Sequence, residues 1–222
     1  MTYVVTNLHG NFQKYCALLE KIHFGENDIL YVLGDTVDYG EQTMELLTDM
    51  SMRVNVYPIA GEHDFLALRL LRKFDRLLRE QTAPDMDFAS EMKAWVADGG
   101  EKTLDAFRAL DSDMKEGIID YLSEFALFEE IEVGGKTFVL VHAGIGDFDA
   151  AKPLDDYGPE DFFVPAEPGK TFFADRTLVV GHRATESGKI ERSNGVIYLD
   201  CGVKDGGQLA CLCLENNEEI YV

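Results

Sequence analysis

The chain has 222 residues and a formal net charge of −21, with 46% hydrophobic and 27% charged residues. That length buries a sizeable core within one domain, and the acidic balance argues against a nucleic-acid backbone or an anionic membrane as partner. No apolar run approaches the roughly 18–20 residues needed to span a bilayer. The opening segment lacks a basic n-region, so no signal peptide is expected. The cysteines Cys16, Cys201, Cys211 and Cys213 show no CxxC spacing and read as reduced thiols in a cytoplasmic protein.

The first third alternates strand and helix. Thr2–Thr6 is β-branched and reads as a strand. In 11–22, Phe12, Tyr15, Leu18, Leu19 and Ile22 recur at helical spacing. A strand is predicted over 28–33, a helix over 41–50 and a strand over 53–59, which together give an α/β signature. From about 65 to 128 the pattern becomes helical, with room for three or four helices. Strands are then predicted at 128–133, 137–142, 177–181, 195–200, 209–215 and 219–222, with a hairpin turn at Gly134-Gly135. Residues 146–171 read as a long loop, functional or mobile by its length. There is no repeat or linker, so the prediction is one domain over 1–222 with a helical insert at about 65–128.

Short Asp/His/Gly motifs fall where strands end. They are Asn7-Leu8-His9-Gly10, Gly34-Asp35-Thr36-Val37-Asp38-Tyr39-Gly40, Gly61-Glu62-His63-Asp64, His142-Ala143-Gly144, Gly181-His182 and Asp200-Cys201-Gly202. Open sheets place ligands beyond the carboxyl ends of their strands. Two divalent cations about 3.5–4 Å apart need a bridging carboxylate and outer nitrogen and oxygen ligands. Each motif alone is weak, since a lone His at a strand end is more often structural. Six in succession point to a two-metal site.

On these blocks the sequence resembles the calcineurin-like metallophosphoesterases, and within them the bacterial relatives of Ser/Thr protein phosphatases and diadenosine-tetraphosphate hydrolases. Trp95-Val96-Ala97-Asp98-Gly99-Gly100 followed by Thr103 resembles the W…NGG…T block of the protein-phosphatase-like branch. The resemblance implies an α/β fold, a four-layer αββα sandwich. It implies that Asn7 and His9 hold a first metal, that Asp35 bridges, and that Glu62, His142 and His182 complete the second. It further implies His63, oriented by Asp38, as the general acid, protonating the leaving oxygen as a metal-bridging hydroxide attacks phosphorus. The implied cofactors are two divalent ions, Mn²⁺ first, with Fe, Zn or Mg as alternatives.

Four positions depart from the pattern: Asn7 for Asp, Glu62 for Asn, Asp64 for Glu, and Tyr39 for the arginine that grips phosphate. Asn7 and Glu62 together keep the ligand charge and shift it toward the second metal. Residues 146–170 contain no arginine. Arg183, beside His182, is therefore the substrate-binding candidate together with Tyr39, ahead of Lys152 and Lys170. The leading substrate class is phosphomonoesters, with phosphoserine or phosphothreonine in proteins first. Hydrolysis of a dinucleoside polyphosphate is the second enzyme reading. A member that binds metal or phosphate without turnover is the third. The stripe Arg69, Arg72, Lys73, Arg76, Arg79 reads as the polar side of an amphipathic helix. His23 reads as a surface residue, and the pairs Phe162-Phe163 and Phe172-Phe173 as packing before groove lining.

Overall fold

A computed structural model describes residues 1–222. The first half runs β1 (Thr2–Val5), α1 (Phe12–Lys21), β2 (Ile29–Leu33), α2 (Thr43–Ser51) and β3 (Val56–Ile59). Four helices follow: α3 (Glu62–Glu80), α4 (Met86–Trp95), α5 (Glu101–Ala109) and α6 (Ser112–Ser123). The last part contains β4 (Phe128–Val133), β5 (Lys136–Val141), β6 (Arg176–Val180), β7 (Glu191–Ser193), β8 (Val196–Tyr198), β9 (Ala210–Cys213) and β10 (Glu219–Tyr221).

Two five-stranded sheets form, in the orders β10-β9-β1-β2-β3 and β4-β5-β6-β8-β7. The pairs β1·β2, β2·β3, β5·β6 and β6·β8 are parallel, so β1–β3, β5, β6 and β8 present their carboxyl ends together with their neighbours'. The sheets pack through a buried layer of Val4, Leu33 and Ile59 from one and Phe138, Leu140, Val179 and Ile197 from the other. Side chains that alternate along each strand explain this layer and the one outside it. On the outer face of the first sheet, Tyr3, Val5, Leu30 and Val32 meet Tyr15, Leu18, Leu46 and Met50 of α1 and α2.

The outer face of the second sheet is covered differently. Val139, Val141, Leu178 and Val180 are capped by Tyr157, Phe162 and Ala166 from the segment expected as a long loop, and by Ile145 and Phe172 that flank it. That segment carries short helical turns at Leu154–Asp156 and Pro159–Phe163. Hydrogen bonds Ala143 N–Phe162 O, Gly146 N–Asp161 O and Ala166 N–Ala143 O stitch it to the strand end at His142. It is a packed layer: Phe162 is buried in it and Phe148 packs against it, while half-buried Phe163 lies against Phe65 and His142.

The helical insert has its own core of Leu70, Leu71, Phe88, Trp95, Phe107, Ile118 and Leu122, closed against Val37, Met44 and Leu47. The basic stripe ties α3 to its neighbours through Arg69–Glu91, Lys73–Asp85 and Arg79–Glu116 ion pairs. Gly134 and Gly135, at φ 59° and 75°, form the predicted hairpin turn between β4 and β5. The edge strand β7 is not visible in the sequence, because Glu191-Arg192-Ser193 has no apolar alternation.

Candidate active site

Residues at the strand ends leave ordinary backbone geometry together. Asn7, His9, Asp35, Asp38, Tyr39 and His182 all have positive φ, between 44° and 70°. Left-handed backbone costs a non-glycine residue about 1–2 kcal/mol. Such strain is held where surrounding structure over-determines it, and here it turns polar side chains into one cavity.

Asp35 is at the centre. Its Oδ1 accepts from the His63 amide at 3.1 Å, and its Oδ2 lies 3.4 Å from His142 Nε2 and 3.9 Å from His9 Nε2. Both histidines are fixed in one tautomer. His9 Nδ1 faces the Val37 carbonyl at 3.1 Å, and His142 Nδ1 faces the Leu33 carbonyl at 2.8 Å. A carbonyl only accepts, so Nδ1 carries the proton and Nε2 keeps a lone pair directed at Asp35. Burial lowers His9 to about 3 and also lowers His142 and His182, keeping all three neutral. Burial pushes the Asp35 carboxyl up.

Ligand atoms of Asp35, His142 and His182 lie within 4.8 Å of one another, a cluster able to hold a metal ion. His182 Nδ1 is 3.0 Å from His142 Nε2. Neutral imidazole nitrogens anchored from behind, converging on a carboxylate oxygen, are the donor set a borderline divalent cation takes. The residues of this cluster fit one such ion.

The other expected ligands stand apart from that cluster. Asn7 is buried on the cavity wall, but its Oδ1 accepts from the His182 amide at 3.0 Å and lies 2.5 Å from the Thr6 hydroxyl. The amide can only donate, so this oxygen must face it, and Asn7 positions His182. Glu62 sits in the first turn of α3 with an exposed side chain and makes no polar contact. Its charge still acts on His142 and His182. Asp64 works as a bracket within the backbone. Its Oδ1 accepts from the Thr36 and Val37 amides and the Thr36 hydroxyl, and its Oδ2 accepts from the Gly61 amide. One carboxylate thus binds the turn after β2 to the start of α3.

His63 Nδ1 is 2.7 Å from Asp38 Oδ2. Burial disfavours its charged form, but the Asp38 hydrogen bond and the charges of Asp35, Asp38 and Asp64 raise it to about 9. The 95–103 block grips this pair. Trp95 Nε1 donates to Asp38 Oδ2 at 2.8 Å, and the Asp38 amide donates to Thr103 Oγ1 at 2.9 Å. The Tyr39 amide donates to the Gly99 carbonyl at 2.9 Å, and the Tyr39 hydroxyl to Asp98 Oδ1 at 3.1 Å. A Cβ at Gly99 would lie 2.6 Å from the Tyr39 ring, and φ there is 94°, so only glycine fits. The sequence shows this block as a likeness, while its partners across 57 residues come from the fold.

A cavity of about 340 Å³ opens over these groups, walled by Asn7, His9, Asp35, His63, His182 and Asp200, with Arg183, Lys204 and Asp205 at its sides. Arg183 is exposed and unpaired. Lys152 and Lys170 lie over the Tyr157 and Phe172 rings and are not part of this wall. His23 is exposed, remote from the motifs. Burial raises Cys201 to about 11, which agrees with a thiol of no chemical role. Sequence reasoning misses Lys204 and Asp205, because they follow the Asp200 motif in a stretch without periodicity.

The sheets, the strand-end site and the calcineurin-like phosphoesterase profile, which matches residues 2–217, agree: the chain belongs to the calcineurin-like phosphoesterase family. A symmetrical bis(5'-nucleosyl)-tetraphosphatase of Pseudomonas syringae is 36% identical over 102 residues, covering 42% of this chain and 34% of that protein. One from Buchnera aphidicola is 37% identical over 65 residues, covering 28% and 23%. The matches thus span about a third or less of these relatives. Among solved structures, a proposed diadenosine tetraphosphatase superposes over all of this chain and 92% of its own, with TM-score 0.67 and 20% identity. A Saccharomyces cerevisiae protein serine/threonine phosphatase covers all of this chain and 78% of its own, with TM-score 0.59 and 14% identity. At these identities the structural likeness speaks for the fold. No helix is long and apolar enough to cross a membrane.

Proposed function

We propose that the chain is a metal-dependent hydrolase of phosphoric esters and anhydrides, with dinucleoside polyphosphates as the first substrate class. The observation that carries the hydrolase reading is the convergence of His9 and His142 Nε2 on Asp35 Oδ2. The curated relatives that act on tetraphosphates support the substrate class. They reverse the order read from the sequence, and protein phosphoserine or phosphothreonine becomes the second reading.

Asp35, His142 and His182 would hold one divalent ion, Mn²⁺ first, and His9 with Asp35 a second. Bound there, the ions would supply Lewis-acid activation of the phosphoryl group and of water. The chain's own residues do the rest. Asn7 orients the His182 backbone, while the Val37 and Leu33 carbonyls hold His9 and His142. Asp38 keeps Nδ1 of His63 engaged and favours the imidazolium, so Nε2 is the atom that can give a proton to a leaving oxygen. Arg183 offers a cation at the cavity edge for substrate phosphate.

Hydrolysis of diadenosine tetraphosphate, a phosphothreonine peptide and p-nitrophenyl phosphate, each with Mn²⁺ and with EDTA, tests the assignment. EDTA-sensitive turnover that His63→Asn abolishes is expected, with the dinucleotide giving the highest kcat/KM. A preference for the peptide supports the second reading. No turnover of any of the three overturns the hydrolase reading and leaves a metal- or phosphate-binding member.

A further inference from the structure

We infer that Lys204 is a phosphate-gripping cation of this site, alongside Arg183, and that Tyr39 is the residue that positions it. This role for Lys204 rests on the phosphate-ester site proposed above. Its ammonium lies 4.6 Å from the centre of the Tyr39 ring and 3.4 Å from the Tyr39 hydroxyl. That hydroxyl has a direction: it gives its proton to Asp98 at 3.1 Å, which leaves a lone pair to accept from Lys204. The ring face, negative by its quadrupole, lies under the charge. Tyr39 itself is wedged edge-on against His9 at 5.1 Å and His63 at 5.3 Å between ring centres. The ammonium is therefore held beside the proton donor and the first-metal histidine, in the wall of the same cavity.

Lys204 forms no ion pair, and the Tyr39 hydroxyl is its one hydrogen-bond partner. A long, flexible cation ordinarily pairs with a carboxylate or extends into water, and on a chain of net charge −21 carboxylates are plentiful. Here the four-carbon stem instead delivers the charge over an aromatic face at the mouth of the site. An ammonium is a point charge with three donors, suited to a phosphate approaching from varied directions. Tyr39 thereby fixes at the cavity wall a cation from 165 residues away. A polyphosphate presents non-scissile phosphates as well as the reacting one, and Lys204 with Arg183 gives two free cations to hold them.

The test uses the full chain loaded with Mn²⁺, with Lys204→Met, Lys204→Arg and Tyr39→Leu variants. Inorganic phosphate binding is read by calorimetry, and hydrolysis of diadenosine tetraphosphate by kcat and KM. Lys204→Met is expected to weaken phosphate binding about tenfold and to raise KM about tenfold, with kcat within about threefold. Lys204→Arg should recover most of both, and Tyr39→Leu should reproduce part of the loss with the lysine still present. Active wild type with phosphate affinity and KM unmoved by Lys204→Met overturns the role of Lys204 and leaves the hydrolase reading standing. Phosphate binding that depends on Lys204 in a protein without turnover supports Lys204 and overturns the hydrolase reading. A wild type that neither binds phosphate nor turns over overturns both.

Discussion

Trp95 Nε1 donates to the same oxygen of Asp38, at 2.8 Å, that faces His63. Asp38 is fully buried and its Oδ1 has no partner, so this indole hydrogen bond is a large part of what compensates the carboxylate. Removing a donor from a buried charged group costs about 1.5–3 kcal/mol. Trp95→Phe should therefore lower stability by about 2–3 kcal/mol in urea denaturation followed by circular dichroism. It should also lower kcat by tenfold or more through a misoriented His63. Wild-type stability together with wild-type kcat would remove Trp95 from that role.

The His63–Asp38 pair makes stability depend on pH. His63 binds its proton more tightly folded, at about 9, than unfolded, at about 6.5. Its contribution is thus complete below about pH 6.5 and is lost as pH rises through about 9, up to roughly 3 kcal/mol in all. Nitrogen-detected NMR titration of the metal-free protein should place His63 well above the other motif histidines. Asp38→Asn should bring it down by more than one unit. A wild-type titration near 6.5 would contradict the pairing.

Gly99 tests the fit around Tyr39. Alanine there meets both the left-handed φ and the ring at 2.6 Å, so Gly99→Ala should destabilise by about 2–3 kcal/mol. In the background of Tyr39→Ala the collision disappears and only the backbone part, about 1 kcal/mol, should remain. Equal costs in both backgrounds would mean that the ring does not press on residue 99.

Asp64→Asn changes one atom at a place where every neighbour donates. The new amide group would face either Gly61 N–H or the three donors from Thr36 and Val37. A loss of about 2–3 kcal/mol is expected, with the turn after β2 that carries Asp35 loosened. Hydrogen exchange should show faster opening at Thr36 and Val37 amides; unchanged protection there would count against the bracket.

Cys16 is exposed while Cys201, Cys211 and Cys213 are buried. An aromatic disulfide reagent at pH 8 should titrate one thiol in the native protein and four in denaturant. Raising the pH to 9 should speed Cys16 without recruiting Cys201, which burial raises to about 11. Two rapidly reacting native thiols would show that a buried strand opens.

The sequence by itself determined the alternation of strands and helices, because side-chain periods of 2 and 3.6 are set by local backbone geometry. It also determined the motif histidines, since each sits at the end of a strand that its own neighbours predict. It read residues 146–171 as a long loop without seeing that the segment packs on the second sheet, and it was silent on β7, for one reason: irregular or polar segments have no period to read. Tertiary structure alone decided which groups meet. It turned Glu62 outward and aimed the Asn7 oxygen at the His182 amide, where a ligand role is expected of both from sequence. It brought Trp95 to Asp38 and Lys204 to Tyr39, pairs separated by 57 and 165 residues. A hydrogen bond or a cation–ring contact needs a few ångströms and a direction, and over such chain separations only the packing of the sheets and the helical insert supplies them.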